Sequence, residues 1–284
     1  MVNLICACQF YGLPQARNQS CRERSGINML INSEEYRAMF EVEDNLWWYK
    51  ILHEKVISEI NSFANGNKQI KILDAGCGTG GLLLKLQNAG YQNIQGFDFN
   101  DDAVAFSKSR GLNVQKLDIT HLQGVFQKES FDVIVSDDVL YQFEDDVIEK
   151  TISSIVDILK PNGIFITNNN AFEIFRGTHD IAVGSKKRFV LKDFKAYLSN
   201  AKDVSILKHH YWSLLLSPLI LVVRLVQKLK LKLNLVDLQN IKSDVEMPSE
   251  FMNNLFYNIC LTESKILKKT PFGSSLFLVL KKEK

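Results

Sequence analysis

The 284-residue chain predicts an α/β protein built on a doubly wound, mostly parallel sheet. Three observations carry that expectation. Short apolar runs of strand type alternate with longer amphipathic runs of helix type, the pattern of parallel strands joined by crossover helices. The first strand-type run empties into a turn with four glycines in six residues: Gly76, Gly78, Gly80 and Gly81. Such turns aim helix N-terminal N–H groups at a ligand. Finally, Asp74, Asp98, Asp118, Asp137, Asp138 and Asn168 fall at successive strand ends, where open α/β sheets bind ligands.

The elements follow in order. Residues 1–28 show no period and hold Gly12, Pro14 and Gly26, so they read as a poorly ordered leader, with Met29 an alternative start to Met1. Ser33-Glu34-Glu35-Tyr36 reads as a serine cap followed by first-turn acids. It opens a helical lead-in or lid over 29–68. Within it, the adjacent Trp47 and Trp48 point about 100° apart on a helix, so both need cover, from packing or from a ligand. The strand at 70–73 precedes the glycine turn, and a helix at 80–89 follows it. Residues 93–98 form the second strand, with Phe99 just beyond. Asp101-Asp102-Ala103 caps a helix running to Arg110. Residues 112–116 form a third strand. The fourth, 131–135, is a continuous apolar run of buried type, and 136–143 forms the mouth of the cleft. A helix at 144–159 and the turn Lys160-Pro161-Asn162-Gly163 lead to the fifth strand, 163–167. Residues 168–189 read as a loop over the cleft. A strand-like run at 204–216 carries His209 and His210, read as structural. Helices at 218–235 and 248–269 precede a last apolar strand at 275–280. The expected division is a core over 69–216, a helical cap over 217–272 and a final core strand over 273–284.

Composition sets bounds. With 46% hydrophobic and 23% charged residues, the chain resembles ordinary globular proteins. No stretch reaches the ~18 apolar residues that span a bilayer. The net charge of +2 is unevenly spread. Residues 201–284 hold thirteen Lys/Arg against seven Asp/Glu, leaving a formal −4 on the first two hundred. A basic half favours an anionic substrate or membrane surface. The run 218–235 is apolar and basic together. It suits either a cap over the cleft or peripheral contact with the inner membrane face. The five cysteines include no C-x-x-C pair, so neither a metal site nor a disulfide framework is expected, and a reducing, cytoplasmic setting fits. The N-terminus lacks the basic start of a signal peptide.

Gly76-x-Gly78-x-x-Gly81 fits the dinucleotide fingerprint, which keeps an NAD(P)-dependent oxidoreductase in view. Asp74 argues the other way. An acid beside the turn would repel a pyrophosphate, whereas it attracts the amino group and sulfonium of S-adenosylmethionine. Asp74-Ala75-Gly76-Cys77-Gly78-Thr79-Gly80 resembles the first motif of class I S-adenosylmethionine-dependent methyltransferases, as does the turn at 160–163. Adding Trp47-Trp48-Tyr49, the 168–189 segment and Pro271-Phe272-Gly273, residues 34–284 resemble a bacterial and archaeal group linked to cell-surface polysaccharide or lipid-linked sugar pathways. Two departures stand out: Tyr141-Gln142 replaces a Glu-His pair, and Ser185 replaces a histidine.

The resemblance implies a Rossmann-like, seven-stranded sheet, its last strand antiparallel at the sheet edge after a helical insertion. It implies S-adenosyl-L-methionine as cofactor. Asp74 with Gly76, Cys77, Gly78 and Gly80 would hold the methionine part, and Asp137 adjoins it. Asp98 can accept from both ribose hydroxyls, and Phe99 either stacks on adenine or packs in the core. Asp118 and Ile119 would read the adenine. Trp47, Trp48, Tyr141, His179 and Arg188 fall on the substrate side. Direct displacement at an activated methyl requires no dedicated catalytic residue; His179, beside Asp180, and Asp138 are the candidate bases. The His179-Asp180 pair reads otherwise as a loop pair without chemistry, the reading favoured here. Lys186-Lys187-Arg188 is either an anion clamp or a solvated loop. The expected reaction is methylation at O or N of a small-molecule or lipid-linked, including sugar-bearing, acceptor. A member that binds the cofactor without turnover is the further alternative. No nucleic-acid partner is expected, because no aromatic-basic stripe or Pro-Pro-Tyr-type motif appears.

Overall fold

The computed structural model describes residues 34–199, 201, 203–237, 243–267 and 269–283. The expected leader, the Met1/Met29 alternative, the Ser33 cap and Cys6, Cys8 and Cys21 lie outside these residues.

Helix α1 covers residues 34–42 and α2 Trp47–Ala64. Then come β1 (Ile72–Ala75), α3 (Gly81–Asn88), β2 (Ile94–Asp98), α4 (Asp101–Ser109), β3 (Val114–Lys116), β4 (Phe131–Asp137) and α5 (Asp145–Ile158). The second half holds β5 (Leu159–Asn170), α6 (Thr178–Ala182), α7 (Leu191–Tyr197), β6 (Val204–Trp212), α8 (Ser217–Lys232), α9 (Glu250–Ile266) and β7 (Ser275–Lys282). The sheet order is β3-β2-β1-β4-β5-β7-β6. Six strands are parallel and β7 runs against them, giving the expected Rossmann-like α/β fold with its helical insertion between β6 and β7.

The sheet residues alternate between two apolar layers, because successive side chains of a strand face opposite ways. Ile72, Val133, Ile164 and Ile166 meet α2 and α9 through Val56, Ile60 and Cys260. Leu73, Ile134 and Phe165 meet α5 through Ile148, Ile152 and Ile155, an i, i+4, i+7 stripe.

Several local expectations are corrected. β7 is not at the edge; it lies between β5 and β6. Its run from Leu276 to Leu280 is buried throughout, which only an interior strand provides. β6 carries the exposed Lys208, and charge on an edge strand discourages further pairing. The lead-in helix breaks at residues 43–46, where Glu43 turns inward. Asn100, not Asp101 or Asp102, caps α4: its Oδ1 accepts from the N–H groups of Asp102 at 2.8 Å and Ala103 at 3.1 Å. β5 runs three residues beyond its expected end, because Asn168, Asn169 and Asn170 pair with β7. The 168–189 segment is no open loop. It holds α6, and Ala171 bridges to Phe189.

Candidate cofactor and acceptor cleft

A cavity of about 620 Å³ lies over the C-terminal ends of β1, β2 and β4, touching Asp74, Asp98 and Asp137. α1 walls it with Tyr36 and Met39, and α8 with Ile220 and Arg224.

The glycine turn is held by its neighbour strand. The N–H groups of Gly76 and Cys77 both donate to Phe97 O at 2.9 Å. Gly76 sits at φ +85°, and a Cβ there would strike Val139 Cγ2. Gly81 leaves room for Glu43, whose Oε2 would lie 2.6 Å from an added Cβ. Glu43 accepts from Thr79 Oγ1 and pairs with Arg110 at 2.6 Å. It thereby fastens the lead-in to the turn. Burial pushes the Glu43 carboxyl up to about 7, against the pull of Thr79 and Arg110.

Asp98 accepts from Gly78 N and Asn100 N, each at 3.0 Å, and from Tyr36 Oη at 3.4 Å. Burial raises its carboxyl despite those donors. Asp74 is more isolated. Burial, then Asp98 and Glu43, push it up to about 8, and among the described residues no cation is one of the charges acting on it.

At the end of β4, Asp137 Oδ1 accepts from Asn168 N at 2.8 Å, while its Oδ2 has no partner among the described residues. Burial, Asp138 and Asp74 all raise its carboxyl. Asp138 has φ +54°, an uncommon conformation for a side-chain-bearing residue. Its Oδ2 accepts from Asn168 Nδ2 at 2.9 Å, and its Oδ1 has no partner among the described residues. Trp212 Nε1 donates to Asn168 Oδ1 at 2.9 Å, which fixes how that amide faces Asp138. Burial raises Asp138 to about 7, although Asn168 and Arg188 oppose it.

Asp74, Asp137 and Asp138 thus bring three carboxyls to one cavity, Asp74 buried, and Asp137 and Asp138 half-buried with one oxygen of each out of solvent. Burying a carboxylate without a counter-charge is costly. A ligand cation beside Asp74 relieves that cost, whereas a pyrophosphate adds to it. The residues therefore fit an amino-sulfonium ligand.

The sequence signature of the Methyltransferase domain matches residues 66–212, just over half of the chain. The chain belongs to the Methyltransferase domain family. The domain's cofactor is S-adenosyl-L-methionine, as the sequence predicts. The chain is 29% identical over 152 residues to the ubiquinone biosynthesis O-methyltransferase of Rickettsia canadensis (strain McKiel), covering 48% of this chain and 62% of that protein. It is 30% identical over 152 residues to that of Rickettsia prowazekii (strain Madrid E), covering 48% and 58%. The match thus spans about three-fifths of these relatives' length. Geranyl diphosphate C-methyltransferase from Streptomyces coelicolor A3(2) shares the fold at TM-score 0.50 and 11% identity, over 81% of each chain.

The methyltransferase-domain cleft gathers most of the sequence-predicted residues. Asp74, Gly76, Cys77, Gly78, Asp98 and Asp137 line it. Gly80 instead stands behind the turn as the left-handed cap of α3. Phe99, 47% exposed, reaches the rim. Asp118 and Ile119 line the same cavity. Asp118 Oδ1 already accepts from Thr120 N and Oγ1, both at 2.8 Å.

On the other side, Trp47, Trp48, Tyr141, His179 and Arg188 also reach the cavity. Trp47 meets Phe256 edge-on at 5.7 Å, and Trp48 stacks on Trp212 at 5.8 Å, so both indoles pack as well as line. Asp180 does not orient His179. Its carboxylate takes Arg188 Nε at 2.8 Å and Gly177 N at 2.8 Å. His179 Nδ1 instead lies 3.2 Å from Asp244 N, and burial holds the imidazole below its ordinary value. Each cation of the 186–188 run meets an acid: Lys186 meets Glu144 at 3.1 Å, Lys187 meets Asp145 at 2.5 Å, and Arg188 meets Asp180. The anion-clamp reading of that run is corrected accordingly.

Sequence reasoning missed Tyr36, Glu43, Arg224 and Asp244 as cavity residues. The break after α1 carried the one available signal. Glu43-Asp44-Asn45 interrupts an apolar period, and the buried acid there meets Arg110, 67 residues later.

Proposed function

We propose that the chain methylates an oxygen or nitrogen of a small-molecule or lipid-linked acceptor, sugar-bearing acceptors included. The buried Asp74, without a cation of the described residues among the charges acting on it, is the observation that carries the reading. When bound, S-adenosylmethionine supplies a methyl group on a sulfonium. Asp74 faces the amino-sulfonium part, with Gly76, Cys77, Gly78 and Asp137 around it and Gly80 shaping the turn from behind. Asp98 accepts from ribose hydroxyls, Phe99 lies against the adenine, and Asp118 and Ile119 read its edge. Trp47, Trp48 and Tyr141 shield the acceptor from water, and His179 and Arg188 border it. Aligning the acceptor can supply about 7–11 kcal/mol of barrier lowering. Asp138 Oδ1 holds the proton that an acceptor hydroxyl gives up, with Asn168 and Trp212 keeping the carboxylate aimed. Ionised Asp138 is required for this, so turnover rises with pH through about 7.

The curated relatives are named for O-methylation in ubiquinone biosynthesis, which favours oxygen as the methylated atom. On this reading residues 69–216 with 273–284 form the core, 29–68 the lid and 217–272 the acceptor cap. The chain works in the cytoplasm, at the inner membrane face when its acceptor is lipid-borne. Titration calorimetry tests the cofactor side: S-adenosylmethionine binds and NAD(H) does not. The reverse result assigns the cleft to an oxidoreductase. Cofactor binding without turnover on a broad panel of phenolic, sugar and isoprenoid acceptors leaves a binding-only protein.

A further inference from the structure

Helix α8 is built inside out. Its inward positions are mostly polar and internally bonded. Arg224, 9% exposed, pairs with Asp244 at 2.5 Å and donates to Gln227 Oε1 at 2.9 Å. Gln227 Oε1 also accepts from Thr178 N at 3.3 Å. Lys228 Nζ donates to Ile174 O at 3.1 Å. The outward positions are apolar. Leu219, Val222, Val223, Leu225, Val226 and Leu229 are each 44–62% exposed. An ordinary surface helix has the opposite arrangement, and a contiguous exposed apolar face of this kind marks an interaction site.

Two features choose the occupant. Lys230 and Lys232 stand exposed at the C-terminal end of the apolar face, and neither makes an ion pair among the described residues. Apolar side chains flanked by lysines complement the acyl boundary and headgroups of an anionic bilayer. The same helix also walls the cleft through Ile220 and Arg224. At 16 residues α8 is too short to cross a bilayer, so it would lie in the interface plane.

We infer that α8 docks the protein on anionic lipid bilayers, its outward face inserted and its inward face closing the cleft beside the headgroups. The inference rests on the lipid-borne acceptor reading only for what the bilayer delivers; attachment is measured without turnover. Co-sedimentation of the full chain is compared on vesicles of phosphatidylcholine alone and of phosphatidylcholine mixed with phosphatidylglycerol. The protein pellets with the anionic vesicles and far less with the neutral ones, and salt releases it. Val222→Asp/Val226→Asp/Leu229→Asp abolishes pelleting while leaving S-adenosylmethionine affinity unchanged, since these side chains face away from the cleft. Lys230→Gln/Lys232→Gln weakens binding to anionic vesicles about 30-fold, from ~1 kcal/mol per lysine. Wild-type protein remaining in the supernatant with both vesicles overturns the inference. So does a concentration-dependent dimer that the triple variant renders monomeric, because a second copy would then cover the face. Vesicle binding without S-adenosylmethionine binding upholds docking and defeats the methyltransferase reading alone.

Discussion

The two halves of the cleft treat charge in opposite ways. Where β1 and β4 end, the buried Asp74 and the half-buried Asp137 lie among other acids, and both carboxyls are pushed up. Where α6 and α8 wall the cleft, cations and acids meet within the chain: Arg188 with Asp180 and Arg224 with Asp244. A charge already matched by the fold is scaffold. A buried charge that the fold leaves unmatched awaits a ligand, and the protein tolerates its cost for that reason. The contrast supports the proposed place of a cationic ligand on the β1 side without reference to any relative.

Removing one charge from each side should move stability in opposite directions. Arg188→Met strands Asp180, whose side chain is fully buried. Breaking such a pair costs about 3–5 kcal/mol, read as a lower midpoint in urea unfolding. A loss under 1 kcal/mol would deny the pair its structural role.

Asp74→Ala should move stability the other way and destroy function. Its folded-state value of about 8 lies above the ordinary carboxylate value. Between those two pH values the unfolded chain holds fewer protons than the folded one, so this group lowers stability as pH rises. The variant is therefore more stable than wild type by roughly 1–3 kcal/mol above pH 8, while its affinity for S-adenosylmethionine falls about 100-fold, or ~2.7 kcal/mol. An unstable variant that binds normally would reverse the assignment.

The same residue makes binding depend on pH. In the empty cleft Asp74 is largely protonated at pH 7. A cation beside it favours the carboxylate, so binding releases about one proton near neutral pH. Affinity should rise as pH approaches 8, by up to ~1.4 kcal/mol per pH unit. Calorimetry in buffers of differing ionisation enthalpy reads the proton directly, and Asp74→Ala abolishes it.

The sheet and the cofactor side were legible because they rest on local signals. Strand period, glycine conformation and an acid at each strand tip all lie within a few residues of one another. The acceptor side was not legible, because its matches span the chain. Arg110 reaches back to Glu43, and Trp212 aims Asn168 from 44 residues away. Adjacency misled at His179-Asp180, since consecutive residues on a helix point apart and Asp180 turned to Arg188. The edge position of β6 was equally hidden: its histidine-bearing run looked no more exposed in sequence than that of β7. The apolar character of residues 218–235 was visible, but only packing shows that the apolar side faces out.

The smallest effect separates scaffold from ligand contact within the cofactor side itself. Asn100 caps α4 and its N–H holds Asp98 Oδ1 at 3.0 Å. Asn100→Ala removes the side-chain cap, which costs about 1 kcal/mol, but keeps the backbone donor. Asp98 therefore stays in place, and affinity for S-adenosylmethionine should stay within about threefold, or ~0.7 kcal/mol. Chemical unfolding and calorimetry on one preparation measure both. If affinity fell as far as with Asp74→Ala, the cap and not the carboxylates would organise the cleft, and unmatched charge would lose its standing as the mark of the ligand.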